Sequence, residues 1–527
     1  MNARKTTPKT TPNPMSKTAE QPAAADPNPP QPPAPAPERR DRFKLPAFML
    51  SRIQPTTKPR FTLVQMATLT GIALLAFYLR IRDPLSSHII GAEDPYLHMA
   101  RTWDLVQGKG VHDYPLGFML LLSPLTLLGT DGFYTVTRYL PPLLGVTSVV
   151  GMFFLARRYT HVSAALSAAL LLAVLPEHIR RTDLLFPTAI DLAVLPFLIL
   201  GLLRGIEGAN WGLPTAGGLT LFLFVIHPWV VALLLPPVAI FFMLYTVKPQ
   251  TRRWATTMAG GSLGAFLVVL VMMRGWSGFS LIFDQAVPQF GHLLASPSSA
   301  PPLPEFVNLP WMITTPIMLL ALCGAAIAVW RRTKLHLFAL LWSVLLLPLV
   351  LVDWLGISFI PHRTVVYLSL GLVLLAALPI AELARIIETA RPKAKAAALF
   401  GLLGAVMLVT LPTALALEPW DRQYDDDDFA AWKALDERGT DYVVAGSWQS
   451  RAGYRSLTAN DADYMPSFFE NANARGLALD SHPDLVVLID KHTTEPSAEY
   501  PNGLSTDFLS DWTLIGQWGD KEAYTRS

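Results

Sequence analysis

The chain has 527 residues, of which 51% are hydrophobic and only 16% are charged. A soluble globular protein carries about 25% charged residues, so this composition excludes a uniform soluble globule and indicates a chain that lies largely in lipid. The net charge of +2 is the sum of three unequal balances: +7 in residues 1–60, +7 in 61–417 and −12 in 418–527. Because no extended basic region exists, a nucleic-acid partner is not expected.

The first 45 residues are rich in proline, threonine and alanine. Such a segment buries too little apolar surface to offset the entropy lost on ordering, so we predict a disordered tail over 1–45. Basic residues between Arg39 and Arg60 precede the first apolar stretch. This charge places the N-terminus on the cytoplasmic side of the cytoplasmic membrane.

Apolar stretches recur through the next region, 46–417, and each is long enough, or nearly so, to cross about 30 Å of hydrocarbon as a helix. They predict a polytopic α-helical membrane protein with about 11–13 transmembrane helices. The predicted spans are 61–80, 134–156, 162–177, 187–203, 213–228, 229–247, 254–273, 310–330, 335–353, 363–381 and 396–417.

The charges of the connecting loops support one orientation of these spans. The loops assigned to the cytoplasm carry 13 Lys and Arg against 3 acids, and the rest of 61–417 carries 9 against 12. This asymmetry follows the positive-inside rule and leaves the long loops 81–133 and 274–309 outside. Within the first of them, 115–129 is too short for a span and is interpreted as a helix at the external interface.

The acidic tail, 418–527, is predicted to be a small external α/β domain. Helical spacing runs from Asp428 to Arg438, and 441–447 and 484–490 are typical of buried strands. The last residues predict a strand pair at the sheet edge. The acids at 425–428 suit the start of a helix better than a metal site.

The first candidate site is the segment Gly91–His98, which holds Asp94, Tyr96 and His98. Its carboxylate and imidazole could bind a divalent cation. Asp94 followed by Pro95 is also a typical helix start. The two interpretations are compatible.

Three further candidates lie in predicted external segments. Arg181, Asp183 and Asp191 could hold a phosphate and a metal, or the arginines could anchor the interface. Glu305, in the proline-rich part of loop 274–309, is a weaker candidate metal ligand. Arg363 opens a late span, where it could bind a lipid phosphate or extend its guanidinium to the interface.

These segments resemble the catalytic subunit of oligosaccharyltransferases, which belongs to the GT-C glycosyltransferases. The similarity lies in EDPYLHMARTWDLVQGKG followed by HDYPLGFMLLLSPL, in RRYTHVSAALSAALLLAVLPEHIRRTD, and in HRTVVYLSLGLVLLAALPIAEL. It extends over most of 61–490. The resemblance implies a GT-C-like fold and a sugar donor linked to polyprenyl (pyro)phosphate.

The resemblance also implies roles for individual residues. Asp94 would be the metal-binding or base carboxylate, with Asp183 or Asp191 as a second catalytic or metal ligand. The metal would be Mn or Mg, with His98 and Glu305 as further ligands. Arg363 and Arg181 would face the donor phosphate, and Trp448 and Tyr96 would contact the acceptor.

The sequence departs from the family at two motifs. Where the family has Trp-Trp-Asp-Tyr-Gly, which reads the acceptor's Ser/Thr hydroxyl, this chain has Ser447-Trp448-Gln449-Ser450. The second acidic motif should carry Gly and then Asp, but positions 187–188 are Pro-Thr. The resemblance therefore does not imply glycosylation of Asn-x-Ser/Thr sites. It still implies membership in the wider GT-C class.

We therefore expect a membrane glycosyltransferase that moves a sugar or oligosaccharide from a polyprenyl (pyro)phosphate to a protein or glycan acceptor on the external face, in contact with membrane lipids. One alternative is a GT-C transferase that uses a lipid-monophosphate sugar with a glycan or lipid acceptor. The others are a transporter or an inactive scaffold. The position of the acidic residues argues against a transporter, because they lie in the predicted loops rather than at the bilayer midplane.

Overall fold

The structure is a computed structural model, and it describes most of the membrane region and of the tail. The described residues are 62–91, 94–109, 116–228, 230–231, 238, 241, 309–350, 361–417, 424–440, 442–445, 448–464, 468–469, 472–490 and 506–526. The predicted disordered segment 1–45, loop 274–309 and the span 254–273 lie outside these residues, as does most of 229–247.

The described part of the membrane region is helical, as predicted. Its helices are α1 Leu63–Ser86, α2 Asp94–Val106, α3 Leu116–Leu122, α4 Gly129–Tyr159, α5 Val162–Ala173, α6 Pro176–Arg180, α7 Pro187–Ile206, α8 Gly212–Ile226, α9 Thr315–Arg331, α10 Lys334–Val350, α11 Pro361–Ala390 and α12 Lys395–Leu415.

Six segments among these residues are long and apolar enough to cross a membrane, and α5, α8 and α10 are shorter apolar helices. The nine predicted spans that fall on described residues all correspond to helices. Segment 115–129 forms α3 and a 3-10 turn, Ser123–Leu128, that leads directly into α4. Its position relative to a membrane stays a prediction.

The span predicted over 162–177 ends early, at Ala173, and the cause is Pro176. A proline has no amide hydrogen, so it cannot bond to the carbonyl four residues before it, here Leu172. The chain bends at Val174–Leu175 and restarts as α6, with Pro176 at the first helical position. This bend puts Arg181 and Asp183 on a separate short segment.

The tail is an α/β domain around one five-stranded sheet, in agreement with the predicted class. The strand order is β2-β1-β3-β5-β4, with β2 and β3 parallel to β1 and the β4–β5 hairpin antiparallel at one edge. The predicted strands correspond to β1 and β3, and the terminal pair to β4 and β5. The elements are α13 Asp426–Glu437, β1 Tyr442–Ala445, α14 Trp448–Thr458, β2 Asp461–Tyr464, α15 Ala472–Ser481, β3 Val486–Asp490, β4 Trp512–Trp518 and β5 Lys521–Arg526.

The acids before α13 cap the helix, as the sequence indicated. Asp425 accepts from the amides of Asp427 and Asp428, while the Asp428 carboxylate accepts from the Asp425 amide. Asp428 also lies 3.1 Å from the Lys521 ammonium. Burial raises the pKa of Asp428 to about 6, although Lys521 opposes the shift. This residue therefore ties α13 to β5.

The tail packs on α2 through a buried ion pair. The Arg455 guanidinium, 1% exposed, donates from Nε to Asp104 Oδ1 at 2.9 Å. Nearby, Trp103 Nε1 donates to the carbonyl of Ser456 at 3.3 Å. We use the term tail side for the ends of the membrane helices that face this domain.

Replacing Arg455 with methionine is expected to loosen α14 from α2 by about 1–3 kcal/mol, because the buried Asp104 carboxylate would lose its closer cation and keep only Arg451, 3.5 Å from its Oδ2. Hydrogen–deuterium exchange of α14 in detergent should rise. The matched control is Lys433→Met, which breaks an exposed pair with Glu437 and should change stability by less than about 0.5 kcal/mol. Equal exchange in both variants would contradict the prediction.

Candidate functional site

The loop that leads into α2 is held by tyrosine hydroxyls. The amide of Ile90 donates to Tyr96 at 3.1 Å and to Tyr134 at 3.2 Å, and Tyr134 donates to the carbonyl of His88 at 2.5 Å. These bonds fix the position at which the chain enters α2. Asp94 is the first residue of that helix and is partly exposed.

Tyr96 and His98 point inward from α2. Tyr96 is fully buried and packs edge-on against Tyr424, in the same apolar cluster as Trp432 of the tail. His98 is 1% exposed and packs edge-on against Phe118 of α3. Their predicted roles, acceptor binding for Tyr96 and metal binding for His98, stay predictions, and in this structure both side chains join α2 to its neighbours.

A buried hydrogen-bond network surrounds Asp191 on the tail side. Asp191 Oδ2 accepts from His227 Nδ1 at 2.5 Å and from the Tyr367 hydroxyl at 2.7 Å. Asp191 is fully buried, and its Oδ1 has no hydrogen-bond partner among the described residues. The three side chains come from α7, from the end of α8 and from α11, so one carboxylate joins three helices.

Arg181 belongs to the same region. Its Nε donates to Glu177 Oε1 at 2.8 Å, and the two side chains are 12% and 3% exposed. α6, which ends one residue before Arg181, contacts α11. Tyr367 lies one helical turn after Arg363 on α11. The fold therefore brings the segment bearing Arg181 to the part of α11 that carries Arg363. We call Asp191, His227 and Tyr367 the polar cluster.

Asp183 lies in a different environment. It is 7% exposed and lines a cavity of about 110 Å³ together with Arg82, Asp83 and Arg180. Asp183 and Asp191 thus have different neighbours, although eight residues separate them in the sequence. Asp183 lies in the connection after α6, which ends at Arg180, whereas Asp191 lies on α7, which begins at Pro187.

Arg80 on α1 holds the bend in place, a role that the sequence did not indicate. It is fully buried, donates from Nε to Thr182 Oγ1 at 2.7 Å, and donates from Nη1 to the carbonyl of Ala173 at 3.1 Å. Its Nη2 donates to His178 Nδ1 at 2.5 Å. Because an arginine only donates, His178 carries its proton on Nε2, which lies 3.0 Å from Ser148 Oγ.

The remaining predicted residues cannot be placed as side chains. Glu305 lies outside the described residues, and so do the side chains of Arg363 and Trp448; the backbones of the last two begin α11 and α14. In the part of the chain that the structure describes, no three His, Cys, Asp or Glu side chains form a metal-binding group. The described residues alone therefore do not assemble the predicted metal site.

The comparisons with known proteins agree with the fold. The family model "Oligosaccharyl transferase STT3, N-terminal" matches residues 101–295. No curated protein matches the sequence. Among solved structures, the Archaeoglobus fulgidus oligosaccharyltransferase in the apo form is similar with a TM-score of 0.52 and 13% identity, over 82% of this chain and 70% of that chain.

ArnT from Cupriavidus metallidurans, bound to undecaprenyl phosphate, is similar with a TM-score of 0.57 and 12% identity, over 88% of this chain and 98% of that chain. A complex of the archaeal enzyme with Zn and sulfate aligns at a TM-score of 0.45 with 14% identity, over 81% and 68%. The predicted GT-C-like fold and the distant similarity to oligosaccharyltransferases are confirmed, and these matches indicate a membrane glycosyltransferase.

Proposed function

Because the chain is a distant relative of the oligosaccharyltransferase catalytic subunits and has a GT-C fold, we propose that it moves a sugar from a polyprenyl (pyro)phosphate to an acceptor on the external face of the cytoplasmic membrane. The observation that carries this proposal is the polar cluster. It joins Asp191 to α11 one turn after Arg363, and α6, which leads into Arg181, contacts the same helix.

The proposed reaction is a displacement at the anomeric carbon of the sugar. An acceptor oxygen or nitrogen forms the new bond to this carbon, the bond from the carbon to the phosphate oxygen breaks, and the lipid (pyro)phosphate leaves with the electron pair. Arg181 and Arg363 stabilise the negative charge that develops on the leaving group. Asp94, partly exposed at the start of α2, takes the proton from the acceptor.

A divalent cation, Mn or Mg, is part of the proposal without a step assigned to it. Asp94 would supply one carboxylate as the alternative to its role as the base, and Glu305 is the external acid that would complete the set. Asp191 suits this role less well as it stands, since its Oδ2 already accepts two hydrogen bonds. Asp183 would have to leave the cavity that it shares with Arg82 and Arg180.

The acceptor is proposed to be a protein or a glycan. A second candidate is a transferase that uses a lipid-monophosphate sugar and a glycan or lipid acceptor. The neighbour bound to undecaprenyl phosphate favours it, because this chain spans 98% of that enzyme's length but 70% of the archaeal oligosaccharyltransferase. The altered Ser447-Trp448-Gln449-Ser450 segment favours it too.

The proposed function is tested by mass spectrometry of glycans, glycolipids and glycoproteins from a strain that lacks this chain. A product should disappear and should return with the wild-type chain. Asp94→Asn should lower the rate of its formation by about 100-fold or more, because the proton acceptor is lost. The class of the missing product identifies the acceptor.

The control for this variant is Asp131→Asn, which removes an exposed acid at the start of α4 and should restore the product fully. Both variants must be present in membranes in equal amounts. Full restoration by Asp94→Asn would overturn the assignment of Asp94, and an unchanged set of products in the deletion strain would overturn the proposed function.

A further inference from the structure

A cavity of about 110 Å³ opens between the tail-side ends of α1 and α12 and the segment that contains α6. Two arginines and two aspartates line it: Arg82 and Asp83 from α1, and Arg180 and Asp183 from the segment after the Pro176 bend. Ser86 adds a hydroxyl. The charges of the four ionised side chains sum to zero.

The rest of the lining is apolar and comes from membrane helices, including Leu79 of α1 and Ala414 of α12. Just outside the cavity, Leu85 is 66% exposed and Leu415 is 42% exposed. Both helices are candidate membrane spans, so these exposed leucines face the hydrocarbon or its boundary. Charged groups that adjoin such a surface at the end of two spans lie at the depth of lipid headgroups.

The two arginines and two aspartates together restrict which lipid headgroup the cavity can bind. A guanidinium matches phosphate through parallel N–H donors. A carboxylate matches a primary ammonium, which donates three hydrogen bonds. An anionic lipid would pair with the arginines but would meet two carboxylates as well, and a choline headgroup has no N–H to donate to them. A headgroup with one phosphate and one primary amine satisfies both sets.

Arg82 shows how such a lipid would act on the fold. Its Nη1 donates to the carbonyl of Leu415 at 3.1 Å, at the end of α12, and this bond uses one of five N–H donors. In α12, only 22% of the most apolar window is buried. A headgroup between Arg82 and Arg180 would therefore tie α12 to the segment that bears Arg181.

We propose that this cavity binds the headgroup of a phosphoethanolamine lipid of the surrounding leaflet, with the phosphate on Arg82 and Arg180 and the ammonium on Asp83 and Asp183. The site is distinct from the polar cluster and does not depend on the proposed glycosyl transfer.

The test uses the full-length chain in nanodiscs with equal amounts of phosphatidylethanolamine, phosphatidylcholine and phosphatidylglycerol, followed by native mass spectrometry of retained lipid. Phosphatidylethanolamine should be enriched. Arg82→Gln and Arg180→Gln should each weaken its retention about tenfold, since each loses a charge-assisted hydrogen bond. Asp83→Asn should reduce the preference for phosphatidylethanolamine over phosphatidylglycerol.

The matched control is Arg391→Gln, an exposed arginine just after α11, which should retain lipid like the wild type. Phosphatidylethanolamine should also raise the thermal stability of the wild-type chain more than phosphatidylcholine does, a measurement that needs no variant. Equal retention of the three lipids, equal effects of Arg82→Gln and Arg391→Gln, or displacement of the lipid by equimolar undecaprenyl phosphate would each overturn the proposal.

Discussion

Replacing Asp191 with leucine is expected to lower the stability of the membrane domain by about 2–4 kcal/mol. The side chain is fully buried, and its Oδ2 accepts from both His227 and Tyr367. Leucine has a similar volume but accepts no hydrogen bond. The two donors, on the end of α8 and on α11, would both lose this buried acceptor, and a buried donor left unpaired costs about 1–3 kcal/mol.

A series of substitutions at Asp191 and Tyr367 separates the loss of hydrogen bonds from a change in packing. Asp191→Asn keeps one oxygen acceptor and should lose less stability than Asp191→Leu. Tyr367→Phe removes a single donor and should cost about 1 kcal/mol. The measurement is the midpoint of thermal unfolding of each purified variant in one detergent, followed by size-exclusion chromatography.

The same series bears on the proposed catalysis. Because Arg363 lies one turn before Tyr367 on α11, a loosened α11 should reduce formation of the product even in variants that remain folded. Tyr367→Phe should therefore retain more activity than Asp191→Leu. If Asp191→Leu unfolded at the wild-type temperature, the carboxylate would not be the link between these helices.

Arg80→Met is expected to destabilise the chain by about 3 kcal/mol. Pro176 leaves the carbonyl at Leu172 without its helical donor, and Arg80 supplies donors at this bend to Ala173, Thr182 and His178. Methionine fills part of the space and donates nothing. Arg80→Lys, which retains up to three donors at a single point, should lose about half as much stability.

Gly145 offers an independent test of the same packing. A Cβ at position 145 would collide with the Arg80 side chain and would lie 2.7 Å from Thr182 Oγ1. Gly145→Ala should therefore be destabilising alone and much less so in combination with Arg80→Met, where the flexible thioether can move aside. Thermal unfolding of the two single variants and the double variant measures the coupling. Additive losses would contradict a direct contact between the two positions.

The membrane helices could be predicted because their signal is local. A stretch of about 20 apolar residues has few stable alternatives to a helix in lipid, and the described helices follow the predicted spans. The strands Tyr442–Ala445 and Val486–Asp490 were predicted for a similar reason, since each is a short apolar run bounded by polar residues. β2, Asp461–Tyr464, was missed because its polar residues carry no such pattern.

The residues of the site could be predicted only in part, because most of their contacts join positions that are far apart in the sequence. Asp94 could be predicted as a candidate because its signal is local: an acid followed directly by Pro95, a short distance after the first predicted span. His227 was not a candidate, since its partner Asp191 lies 36 positions earlier. Tyr367 was hidden in an apolar run, and its partner lies 176 positions earlier. Only the pairing of helices makes these residues neighbours.

The sequence by itself thus determined the class of this protein: the described helical spans and the α/β tail, both of which follow from composition and short-range order. The tertiary structure decided which polar groups meet. It separated Asp183, which lies in the connection between α6 and α7, from Asp191 on α7, and it enclosed Asp191 with His227 and Tyr367. In a lipid-facing chain a buried polar group must find a partner within the protein, and that partner is chosen by how the helices pack.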